Sequence, residues 1–190
     1  MLNMTHRPLG MIAGWLSCAA LSLLGTTAQA HLMPAGHGTI NVVGDKAYMV
    51  LSVPVEAFSS VEACHDGLLT PVELTANHAA LQQQVQTDLQ ISFDSGPAVE
   101  FKQVIFDLPA GHGHAGDAGE DLVVMVVAPI GDAPDGLSLT STLWGAKGDP
   151  IKVRATVSEK GREVRREVLR MSPEQPSAMF FARPRATASR

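Results

Sequence analysis

The chain reads as mainly β, an antiparallel immunoglobulin-like β-sandwich, and three observations lead there. Short apolar runs, alternating or continuous, recur roughly every 10–14 residues. Gly, Asp, Asn and Pro stand between them, in combinations that close tight turns. Of 190 residues, 45% are hydrophobic and 17% charged, too apolar for a disordered chain and enough for one sizeable core.

The first run, Thr39–Val43, meets the second, Ala47–Val53, across Gly44-Asp45, a two-residue hairpin signal of the primed type. Leu89–Phe93 and Val99–Phe106 flank the turn Asp94-Ser-Gly-Pro97. Four more runs follow: Leu122–Pro129, Leu137–Trp144, Ile151–Val157 and Glu163–Leu169. Their turns are Gly131–Gly136, Gly145–Pro150 and Glu159–Arg162, which makes eight strands in all. The segment 172–190, with three prolines and little pattern, is expected to be a poorly ordered tail.

One stretch departs from the two-residue rhythm. Leu74, His78, Leu81, Val85 and Leu89 recur every three or four residues, which is one face of a helix over Val72–Leu89. Pro71 suits its first turn and Thr70 its cap. This helix is expected as an insertion into the sandwich, over about residues 57–89, rather than a second domain.

Residues 1–30 have the form of a secretory signal peptide. Arg7 supplies the positive start, Leu9–Leu24 is apolar and uncharged, and Ala28-Gln29-Ala30 has the small residues that signal peptidase requires. The expected location is therefore periplasmic or secreted, with a domain over 31–171. The apolar stretch is shorter than the ~20 residues of a spanning helix, and no later run approaches that length. Cleavage after Ala30 leaves His31 as the first residue and Cys64 as the only cysteine, so no internal disulfide is available.

The whole chain carries a formal charge of −5, divided unevenly. Residues 31–149 hold three Lys and fifteen acids, whereas residues 150–190 hold ten Lys or Arg and four acids. Such a division reads either as solvated faces lying side by side or as an acidic patch that attracts a cation or a basic protein partner. An acidic balance and 5% aromatics argue against nucleic-acid binding, which needs basic charge and stacking surfaces.

Immediately before the helix runs Glu62-Ala-Cys-His-Asp-Gly-Leu-Leu-Thr-Pro-Val-Glu73. The segment resembles the twelve-residue EF-hand calcium loop. Glu62 stands first, Asp66 fifth, Gly67 at the sharp turn, Leu68 at the carbonyl-donating seventh place, Thr70 ninth and Glu73 twelfth. The resemblance implies a helix–loop–helix and Ca²⁺ held by Glu62, Asp66, the Leu68 carbonyl, Thr70 and Glu73. Cys64 at the third place departs from it, because a soft thiol is a poor partner for hard Ca²⁺. The start His31-Leu-Met-Pro-Ala-Gly-His-Gly-Thr-Ile, followed by a strand pair, loop and helix, also resembles a group of secreted bacterial proteins with such a degenerate loop. That resemblance implies no biochemical role.

A second metal reading uses histidines. His31 would offer its imidazole together with a free amine, a pair that favours Cu²⁺, and His37 follows six residues on. His112-Gly-His114 lies in a Gly/Ala-rich loop that ends near Glu120 and Asp121. Convergence of His31, His37, His112 and His114 on Cu²⁺ or Zn²⁺ would resemble, weakly, periplasmic copper-binding sandwiches and copper oxygenases with an amino-terminal histidine. His78 is expected to pack on the helix face. No nucleophile elbow, phosphate loop or His-Glu-x-x-His helix occurs, so the chain is expected to be a non-catalytic binding or assembly module.

Overall fold

Alternation of side chains along each run builds the sheets. The computed structural model describes residues 33–94, 96–109, 118–130 and 136–182, and these form nine strands and one α-helix. The strands are β1 (His37–Val43), β2 (Lys46–Pro54), β3 (Leu89–Phe93), β4 (Gln103–Asp107), β5 (Asp121–Pro129), β6 (Leu137–Ser141), β7 (Ile151–Glu159), β8 (Arg162–Met171) and β9 (Ser177–Phe180). The helix α1 spans Pro71–Asp88. Six strands form one sheet in the order β4-β5-β2-β1-β7-β8, and three form another in the order β3-β6-β9.

Turn chemistry sets two of the hairpins. Val43 pairs with Lys46 across Gly44, whose φ of +60° is the left-handed conformation that only glycine adopts freely. Glu159 pairs with Arg162 across Lys160 and Gly161, both at positive φ as a primed two-residue turn requires. Pairing is antiparallel throughout except between β1 and β7, which run parallel from His37↔Lys152 to Val43↔Ser158. The hundred-odd residues between these two strands supply the long crossover that a parallel pair needs.

One buried cluster joins the two sheets. Ile40, Met49, Leu51, Val124 and Val153 come to it from the larger sheet, and Leu89, Ile91, Leu137, Leu139 and Phe180 from the smaller. This mainly β arrangement is consistent with a β-sandwich. Against the eight strands expected, the ninth lies within the segment read as tail, where Ser177–Phe180 pairs with β6 and buries Ala178 and Phe180. Burying an aromatic ring and a methyl outweighs the turn-forming composition around them.

Helix α1 starts one residue before the predicted position and ends one before. It anchors through Leu81 and Val85, both fully buried, and through Gln84, whose amide is satisfied on every side. Gln84 Nε2 donates to the Ala57 carbonyl and to Asp88 Oδ2, and its Oε1 accepts from the Ser60 N–H and hydroxyl. His78 packs its ring edge-on to Phe106, at 5.4 Å between centroids, although the residue as a whole is exposed. No described helix is long and apolar enough to cross a membrane.

Candidate functional site

The expected helix–loop–helix is half realised. In place of an entering α-helix, β2 leads into two three-residue 3-10 turns, Val55–Ala57 and Glu62–Cys64. Val55, Ala57, Phe58, Val61 and Cys64 are all buried, and successive three-residue backbone bonds, from the Phe58, Val61 and Cys64 N–H groups to the Val55, Phe58 and Val61 carbonyls, hold the chain in tight turns. Beyond them the chain turns at Gly67, with φ of +77°, and Asp66 Oδ1 accepts the Leu68 N–H at 3.0 Å. Leu69 is fully buried and exchanges two backbone hydrogen bonds with Gly119, at 3.0 and 2.9 Å. Thr70 then caps α1.

The proposed calcium ligands are therefore unevenly placed. Glu62 is exposed on its 3-10 turn. The Glu73 carboxylate is engaged by the Thr70 hydroxyl and N–H, which hold it below the ordinary carboxylate range, while the Asp66 charge opposes that shift. The third place faces inward: Cys64 is fully buried, and burial, with the charges of Glu73 and Asp66, pushes its thiol up to about 11. At neutral pH it remains S–H and unavailable to a hard cation. This donor set does not fit a complete EF-hand shell. Among the described residues, no three His, Cys, Asp or Glu side chains stand together as a metal site.

The histidine set is divided in the same way. His31, His112 and His114 lie outside the described residues. His37 opens β1, and its ring contacts the Ala35 carbonyl at 3.0 Å.

A concave site lies beside the Asp66 turn. A cleft of about 530 Å³ opens between the Asp66-Gly67-Leu68 turn, the ends of β2 and β5, and the connection from β6 to β7. Five carboxylates line it, from Glu56, Asp66, Glu120, Asp121 and Asp149, against one ammonium, Lys147. Trp144, Leu143, Leu68 and two prolines, Pro54 and Pro150, supply apolar wall. Burial, and then the neighbouring Glu120 charge, raise the Asp121 carboxyl above the ordinary range.

The rim is built with care for Glu56. Its Oε1 accepts the Ala146 N–H at 2.7 Å, which ties the end of β2 to the β6–β7 connection. Position 145 is glycine because a Cβ there would stand 2.7 Å from Glu56 Oε1 and about 3.0 Å from the Pro54 ring. Of the cleft carboxylates only Asp66 belongs to the predicted site. Glu120 and Asp121 enter the sequence reading only as acids near the end of the His112/His114 loop, and Glu56, Trp144 and Asp149 carry no signal there. The uneven charge of residues 31–149 is the one sequence feature that points to the cleft.

No protein-family model matches the chain, and no curated protein is significantly similar to it.

Proposed function

We propose that this protein is an exported, non-catalytic binding module, an immunoglobulin-like sandwich whose acidic cleft holds a cationic group borne by a protein partner. The single observation behind this reading is the cleft's composition, five carboxylates and a tryptophan around one lysine. Carboxylates that share a low-dielectric concavity focus negative potential and attract cations from a distance. Trp144 adds an aromatic face on which a guanidinium or ammonium gains further stabilisation. The carboxylates are spread around a volume larger than one ion, which favours an extended basic segment over a bare metal.

Calorimetric titration with a short oligolysine or oligoarginine peptide tests this. The expected result is micromolar-range heat that weakens with added salt and falls on Glu120→Gln and Asp121→Asn. No heat with wild-type protein at low salt defeats the reading.

A second reading, Ca²⁺ at the 62–73 turn, draws on one observation: Gly67 turns the chain at φ +77° beside Asp66, directly ahead of the helix whose first turn carries Glu73. Titration with Ca²⁺ beside Glu73→Gln separates the two readings, because Glu73 does not line the cleft.

A further inference from the structure

We infer that the cationic partner is a second copy of this chain, whose basic face on β7 and β8 docks into the acidic cleft. The inference rests on the cleft reading above and identifies its ligand.

Alternation puts Lys152 and Arg154 of β7 on the sheet face turned away from the core, and Arg166, Val168 and Arg170 of β8 beside them. Register then sets Lys152 opposite Arg170, Arg154 opposite Val168 and Thr156 opposite Arg166. Like charges placed directly across a strand pair repel, so Lys152 and Arg170 destabilise the isolated sheet. Within β8, Arg166 pairs with Glu163. Among the described residues, β8 is the last strand of its sheet.

The two surfaces match in more than charge. Val168, 42% exposed, lies between the arginines, and Leu68, also 42% exposed, lies among the carboxylates of the cleft with Trp144. Cations around an apolar side chain thus meet acids around apolar ones. The two surfaces also adjoin on one molecule, since Ile151 lines the cleft and Lys152 begins the basic face. Self-complementary patches that lie side by side suit a twofold pair, in which each copy's face meets the other's cleft. An acidic region and a basic region of one chain satisfy one another in this dimer.

The test is a charge swap read by sedimentation velocity. Wild-type protein is expected to be dimeric at about 50 mM salt and to weaken at least tenfold at about 500 mM, where the Debye length falls to a few ångströms. Glu120→Lys with Asp121→Lys, and separately Arg154→Glu with Arg170→Glu, are each expected to be monomeric, and an equimolar mixture of the two variants dimeric. Arg154→Gln with Arg170→Gln, a milder change, is expected to weaken the dimer while each copy still unfolds cooperatively. A monomeric wild type at about 100 μM, a dimer that survives either double reversal, or a mixture that stays monomeric overturns the inference. If the monomeric wild type still binds oligolysine, the second copy is excluded and the cleft reading stands; if it binds none, both fall.

Discussion

Thr70 and Glu73 hold each other in a reciprocal capping box: the Thr70 N–H and hydroxyl donate to Glu73 Oε2 at 2.9 and 2.7 Å, and the Glu73 N–H donates to Thr70 Oγ1 at 3.2 Å. In the EF-hand reading the same two residues are metal ligands, at the ninth and twelfth places. Here they begin α1 and satisfy donors that the first helical turn leaves open. The sequence signature of the loop's second half is thus also the signature of a helix start.

Replacing Thr70 by alanine removes the cap and is expected to cost about 1 kcal/mol in urea denaturation. Because the capping bonds lower the Glu73 carboxyl in the folded state, their contribution is complete above the ordinary carboxylate range. It is lost as pH falls through the depressed value. The stability difference between wild type and Thr70→Ala is therefore expected to be constant near neutrality and to shrink below about pH 4.5. A difference that stays unchanged to pH 2 contradicts the box.

Cys64 is expected to be inert toward a thiol reagent at pH 8 in the folded protein and to react fully in denaturant. Its thiol is raised from 9.0 to about 11, first by burial and then by the Glu73 and Asp66 charges. A folded-state value above the unfolded one stabilises below about pH 9 and loses that effect as pH climbs toward 11. Native stability is accordingly expected to fall across that interval, and less steeply in Cys64→Ala.

Helix α1 was legible because its apolar residues keep a three- to four-residue step between a proline and a strand, and most strands because their alternation is uninterrupted. The entering helix was not: Val55, Ala57, Phe58, Val61 and Cys64 are apolar for core packing, a role that periodicity does not separate from an amphipathic face. Strand β9 was hidden by the prolines at 173 and 176 that precede it. The cleft was invisible for a different reason. Its walls come from Gly36, Glu56, Asp66, Asp121 and Trp144, brought together by the parallel β1–β7 pairing and the order of the larger sheet. No local pattern encodes such convergence.

The two faces of α1 should respond very differently to mutation. Leu81 is fully buried, and Leu81→Ala is expected to cost roughly 2–5 kcal/mol as lost transfer energy and an unfilled cavity. Val72, 77% exposed, is expected to tolerate serine within about 0.5 kcal/mol. Paired denaturation curves check both, and equal effects would mean that the helix docks on another face.

Gly145→Ala is expected to destabilise by roughly 1–3 kcal/mol through overpacking, since the new methyl meets Glu56 and the Pro54 ring together. Moving Glu56 also breaks its bond to the Ala146 N–H. Oligolysine affinity is expected to fall at the same time, although position 145 carries no charge in either protein. Unchanged affinity beside lowered stability would show that Glu56 contributes to the rim and not to the ligand.

Asp121 offers the sharpest separation of stability from binding. Burial and the Glu120 charge raise its carboxyl in the folded state, so its ionisation costs stability as pH rises through that raised value. Asp121→Asn removes this cost and is expected to stabilise the protein slightly at pH 7, by no more than about 0.5 kcal/mol once solvent screening is allowed for. The same substitution removes one of five carboxylates from the cleft and is expected to weaken oligolysine binding several-fold. A group that lowers stability while raising affinity is the pattern of a binding site rather than of a structural ion pair. Thermal unfolding and calorimetry on one preparation read both effects, and a variant that loses stability together with affinity assigns Asp121 to the scaffold instead.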